Sequence, residues 1–248
     1  MKSVYVIWRD YELGMWHPVA KLTYGDSSFY RFNYTKGAAH KNFMPFPRME
    51  DKTKAYVSTE LFSFFKNRMI PTNRPEFKKM LSWSGLDDNN IDELTLMGIT
   101  GGARKTDQFR IIPQPEVTNN GKFKVKFFVN GVSHLTDNQL QRLSLLKEGE
   151  SLSLILEDDN KFDCNALLIA ADSEPNQIKV GYCPRYFNCD FRTLLNDPNL
   201  RDYSVNVLKV NNDAPPQFRL LCEFVSNWPE NFIPMVSKDY RAYLESEQ

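Results

Sequence analysis

Cysteine and histidine are scarce in this chain, with four of the first (Cys164, Cys183, Cys189, Cys222) and three of the second (His17, His40, His134). No two cysteines have CxxC spacing and the histidines are too few to complete a Cys/His zinc set, so no metal is expected and the thiols are read as free and buried. Long apolar runs are missing as well. Nothing approaches the roughly 20 consecutive residues a membrane helix needs, and the opening MKSVYVIWRDYE has neither the apolar core nor the small-residue cleavage site of a secretory signal. A cytoplasmic location, with no membrane, is the expectation. GxxxxGK(S/T), GxSxG, HExxH and GxGxxG are all absent. A calcium loop fails at the acidic turn EDDNKFDCNALLI, residues 157–169: Asp158 and Asn160 have the first two ligand spacings, but Phe162 holds the third and no glycine stands at the sixth. A protein without catalytic residues or a cofactor is therefore expected.

What the chain does contain is enough apolar material for folding. Its 248 residues are 42% hydrophobic and 13% aromatic, which suits one large or two modest domains. The 31 basic and 31 acidic residues cancel but are unevenly placed, with eleven Lys and Arg against four acids between positions 31 and 80. Such a region can attract phosphates or an acidic partner, although a solvated face is the commoner meaning of mixed charge.

Periodicity divides the chain near IIPQPEVTNNGKF. Before it, SVYVIW and SFYRFNY alternate as strands do. A helix is predicted over 59–68, with Leu61, Phe62, Phe64, Phe65 and Met69 as its apolar stripe, Lys66 and Arg68 in its last turn, and Pro71 beyond. A second follows Asn73 and ends at Gly85, and a third covers Ile91 to Met97. After the division KFKVKFFV sets Lys122, Lys124 and Lys126 on one face of a strand and Phe123, Val125 and Phe127 on the other. Thr136 and Gln139 make a capping box. SLSLILE, NALLIAA, QIKVGYC, YSVNVLKV and FRLLCEFV read as strands, with FNCDFRTLL as a short helix among them. The expected architecture is an α+β domain over 1–115, a mainly β small barrel with short helices over 120–226, and a tail over 227–248. The segment TGGARKTD, residues 100–107, could cradle a phosphate, but it precedes a strand instead of opening a helix, so a tight turn is the favoured reading.

The second half resembles the HIRAN domain, found in fork-remodelling translocases and alone in bacterial proteins. The match runs from about 122 to 210 and rests on Gly131 in FFVNGVSHL, on Asn160, Phe162, Asp163, Asn165 and Ala166, and on Val180, Gly181, Tyr182 and Pro184. The resemblance implies an OB-like barrel that captures the 3′ end of single-stranded DNA. Asp163 would accept a proton from a free 3′-OH while rejecting a phosphate, and Phe162 would stack on the terminal base. Lys122, Lys124, Lys126 and Arg185 would meet phosphates, with Asn160 and Tyr182 completing the site. Where the family has an arginine and an aromatic after its glycine, this chain has Val132, Ser133 and His134, of which Ser133 and His134 are the candidate contacts. The competing reading makes Asn160 and Asp163 turn caps and Phe162 a core residue.

The first half, about 4–112, is similar in order to the N-terminal subdomain of HipA-type kinases, through KLTYGDSSFYRFNY, TELFSFFKNRMIPTNRPEF and GITGGARKTDQFRI. The kinase core is absent. This likeness implies a second role, an antitoxin or regulatory partner of a HipA-like kinase toxin and its DNA-binding antitoxin, docking through Leu61, Phe62, Phe64, Phe65 and Arg68.

Overall fold

The computed structural model describes residues 2–12, 14–25, 28–86, 92–104, 106–172, 176–198 and 202–244. Ile91 at the start of the third predicted helix, Lys105 of the glycine-pair segment and residues 245–248 of the predicted tail lie outside them. The chain is mainly antiparallel β-sheet with short helices. Backbone packing groups Met1–Phe77, Ile91–Gln114 and Met235–Gln248 in one unit, and Lys78–Asn90 with Pro115–Pro234 in another. Among the described residues no helix is long and apolar enough to cross a membrane.

Among the described residues of the first unit five strands lie in the order β4-β3-β2-β1-β5: β1 Lys2–Arg9, β2 Trp16–Tyr24, β3 Tyr30–Tyr34, β4 Tyr56–Ser58 and β5 Phe109–Pro113. β2 escapes periodicity because Pro18 stands inside it, and a mid-strand proline argues against a ladder position. The structure accommodates it at a bulge: Val6 pairs with Ala20 and Ile7 with Pro18, so Val19 is the extra residue. The Val19 carbonyl accepts instead from Thr35 N–H at 3.0 Å. The core gathers Phe32, Tyr34, Phe43, Phe46, Leu61 and Phe65.

The helix predicted over 59–68 contracts to α1, Ser63–Lys66. Phe62 keeps an extended backbone, ψ 146°, and its ring packs on Phe32 with 6.0 Å between centroids. Tertiary packing thus overrides the helical spacing of the preceding residues. α2 spans Pro75–Trp83, and α3 spans Glu93–Thr100, where the Asp92 carboxylate caps by accepting Thr95 N–H at 3.0 Å. Gly101 ends α3, and its carbonyl accepts Ile111 N–H at 2.8 Å, so the glycine pair turns the chain back into β5.

Among the described residues the second unit has six strands in the order β6-β11-β10-β7-β8-β9: β6 Lys122–Phe128, β7 Ser151–Glu157, β8 Ala166–Ala171, β9 Ile178–Tyr182, β10 Tyr203–Val210 and β11 Leu220–Asn227. α4, Asp137–Ser144, carries the capping box of Thr136 and Gln139. α5, Arg185–Leu195, lays Phe187 and Phe191 against Phe123, Phe127 and Phe224, with Phe191 stacked on Phe224 at 4.1 Å. Such ring pairs contribute roughly 0.5–1.5 kcal/mol each beyond their burial.

The sheet is open, and an antiparallel bridge ties its outer strands just past the end of β6. Asn130 N–H donates to Tyr182 O at 2.8 Å and Tyr182 N–H to Asn130 O at 2.9 Å. Two glycines make this approach possible. A Cβ on Gly181 (φ +144°) would lie 2.3 Å from Val129 Cγ1 and 2.6 Å from Asn130 O. One on Gly131 (φ +77°) would lie 3.1 Å from Tyr182 Cδ2. Gly181→Ala is expected to destabilise the protein by about 2 kcal/mol or more, read as a lower urea midpoint; an unchanged midpoint would show that the bridge yields without cost.

Candidate functional site

The acidic turn between β7 and β8 is held by its own side chains. Asn160 Oδ1 accepts the N–H groups of Phe162 at 3.0 Å and Asp163 at 3.2 Å. Asp163 Oδ1 accepts Asn165 N–H at 3.0 Å, and the Asp163 carbonyl accepts Ala166 N–H at 2.9 Å. These are the turn-capping bonds available to Asn and Asp side chains. Asn160 and Asp163 therefore are turn caps, yet Phe162 is not a core residue: it is 87% exposed at the tip.

α5 docks against the same turn through residues at helical spacing. Arg185 Nε donates to Asp163 Oδ2 at 3.2 Å, and its terminal nitrogen donates to the Phe162 carbonyl. Asn188 Nδ2 reaches Asp163 Oδ2 at 2.9 Å, while Arg192 donates to Asp158 Oδ1 at 2.6 Å and to Asn165 O at 3.0 Å. Positions i, i+3 and i+7 share one helix face, so Arg185, Asn188 and Arg192 form a polar stripe alongside the buried phenylalanines. The sequence reading missed Asn188 and Arg192, for which that spacing is the available signal.

Glu157 was missed too, although it opens the acidic stretch. Its Oε2 accepts Asn160 Nδ2 at 2.8 Å and the Tyr182 hydroxyl at 2.9 Å, and Lys179 Nζ donates to that hydroxyl at 2.9 Å from a position 4.1 Å over the Tyr182 ring. The structure thus brings Asn160, Phe162, Asp163, Tyr182 and Arg185 together. Exposed Ser133 and His134 lie in the 3-10 turn that follows Gly131, packed beside β9 by way of the Asn130–Tyr182 bridge.

The three lysines are elsewhere. Phe123, Val125 and Phe127 are buried, the two phenylalanines against α5, so Lys122, Lys124 and Lys126 point from the opposite face of β6. Lys122 bonds Asn227 at 2.6 Å, and Lys124 pairs with Glu223 at 3.1 Å. In the first unit, Leu61 and Phe65 are buried and Phe62 and Phe64 partly buried against the core. Arg68 corrects the expectation of an exposed docking contact. Its side chain turns inward, 2% exposed, because it pairs with Asp107 at 2.6 Å and lies 3.9 Å over the Phe64 ring. Burial lowers its pKa to about 10 against the raising effect of Asp107.

The thiols also depart from expectation. Cys183 and Cys222 are buried, and burial pushes both thiols up. Cys164, in the acidic turn, and Cys189, on α5 with its Sγ 3.8 Å from Asn165 Nδ2, are exposed. Desolvation and the neighbouring Asp190 and Asp163 carboxylates raise Cys189 as well.

No protein-family model and no curated protein matches the chain. Among solved structures, a protein from Lactobacillus plantarum is similar at 24% identity, over 43% of this chain and 97% of that one, with a TM-score of 0.32. The HIRAN domain of human HLTF is similar at 14% identity, over 44% of this chain and 81% of that one, also with a TM-score of 0.32.

Asp163→Ala removes the partner of buried Asn188 Nδ2 and the cap on Asn165 N–H. Leaving such groups unserved costs roughly 1–3 kcal/mol. The variant should unfold at a lower urea concentration, and an unchanged midpoint would mean that the turn is held without its carboxylate.

Proposed function

We propose that this chain is a nucleic-acid-binding protein, and that its second unit is a HIRAN-like, OB-like module that takes the 3′ end of single-stranded DNA. The observation that carries this reading is the placement of Phe162. A phenylalanine 87% exposed gains nothing from the hydrophobic effect where it stands. Its backbone is nonetheless fixed on both sides, by Asn160 at its N–H and Arg185 at its carbonyl. A ring held in that way offers a stacking surface with little ordering left to do on binding, and base–aromatic stacking contributes about 1–3 kcal/mol per base.

The groups around the ring fit a strand terminus. Arg185, 44% exposed in its side chain, presents its cation beside Phe162 for a phosphate. An ionised carboxylate has about four acceptor positions. On Asp163 three are taken by Asn165, Arg185 and Asn188, and the remaining one suits the proton of a terminal hydroxyl. Ser133, His134 and Tyr182 line the neighbouring surface. The lysines of β6, facing away, contribute general attraction that weakens with salt.

Binding of a 5′-labelled single strand at one fixed salt concentration tests this. Phe162→Ala should weaken binding by roughly tenfold, as loss of one stacked base implies. A 3′-phosphate should weaken wild-type binding more than tenfold, and Asp163→Asn should discriminate less between the two ends. Equal wild-type affinity for both ends would remove end recognition, and full affinity of Phe162→Ala would remove the platform itself.

A further inference from the structure

His17, His40 and Asp239, all in the first unit, come together from distant parts of the sequence. His17 lies on β2, His40 follows the 3-10 turn Lys36–Ala39, and Asp239 lies in the 3-10 turn Lys238–Tyr240. One ligand atom from each falls within 4.8 Å of the other two. We propose that these three side chains bind one divalent transition-metal ion of the zinc type.

Three observations support the site. First, His17 Nδ1 and Asp239 Oδ2 are 3.1 Å apart. Two ligands of a tetrahedral zinc, each bonded at about 2.0–2.2 Å, stand roughly 3.3 Å apart, so this pair already has the spacing of a shared coordination edge. Second, His17 is 4% exposed and its Nε2 has no hydrogen-bond partner. A neutral imidazole has one N–H and one lone pair. With the proton on Nε2, the Nδ1 lone pair faces the Asp239 carboxylate, and a cation between these two acceptors is a partner that both accept. Third, the donor set is two imidazoles and one carboxylate, which suits zinc and its transition-metal neighbours and not the all-oxygen preference of calcium or magnesium.

His40 is partly buried and lies at a tilt against His17, with 3.5 Å between ring centroids and 37° between the rings, outside the buried core. Three protein ligands leave at least one coordination position for water. The ion would also fasten the C-terminal segment. That segment already touches the sheet through the Thr35–Ala242 bridge, the Lys36 N–H to Arg241 O bond of 2.9 Å and the edge-on Tyr5–Tyr240 pair at 4.9 Å.

The test uses the full chain, stripped with a chelator and titrated with zinc chloride against a colorimetric competitor. Wild type should bind one equivalent and show a thermal transition raised by roughly 5 °C at a hundredfold excess over Kd. His40→Ala, at a half-exposed position, and the near-isosteric Asp239→Asn should each lose at least tenfold in affinity and the thermal shift. His134→Ala and Cys164→Ser/Cys189→Ser, which alter the remaining histidine and the exposed thiols, should keep both. Cobalt in place of zinc should give visible absorption in wild type and not in His40→Ala. Wild type that binds no zinc, or binding that survives His40→Ala and Asp239→Asn but is lost with the two thiols, would overturn the proposal.

Discussion

The second unit depends on one close approach of backbone, the pair of hydrogen bonds between Asn130 and Tyr182. It ties strands that stand at opposite ends of the sheet order, and it permits no side chain at Gly181. Its consequences run directly to the candidate site. The bridge sets the Ser133–His134 turn beside β9 and fixes the end of β9 from which the Tyr182 hydroxyl reaches Glu157. Glu157 in turn receives Asn160, whose side chain shapes the turn that carries Phe162. A backbone contact is thus converted, through three side chains, into the position of an exposed ring.

Charge within this network is used for order more than for attraction. Asp163, Glu157 and Asp158 each bind donors of the same unit, and Arg185 and Arg192 are their cationic partners. The acids that open the stretch are therefore structural in the first instance, while Asp163 keeps a fourth acceptor position and Arg185 an exposed side. A carboxylate that helps to hold its own loop is already desolvated, so on the proposed reading a ligand hydroxyl would meet a preorganised acceptor.

Legibility followed the range of the interactions. β7 and β10 have the bounds that alternation predicts, and the capping box at Thr136 and Gln139 is present, because each rests on neighbours in sequence. β2 was passed over because Pro18 hides a bulge that only pairing with β1 explains. α1 is shorter than its apolar stripe because Phe62 follows the core and not the helix. Periodicity left open whether Phe162 was buried, since the turn that projects it is closed by Arg185, 23 residues on. The lysine face of β6 was legible, but its partners Glu223 and Asn227 belong to a strand far along the chain. Least legible was the His17–Asp239 pair, 222 residues apart.

The central claim is that the turn at 160–163 holds Phe162 out as a surface for a nucleic-acid base. Photo-crosslinking tests it most directly, with a single-stranded oligonucleotide carrying 5-iodouracil at its 3′-terminal base and the adduct mapped by peptide mass. The account predicts the adduct on Phe162, competed by an unmodified strand with a free 3′-OH. Adducts confined to the lysine face of β6, or to the aromatic segment 61–68, would contradict it.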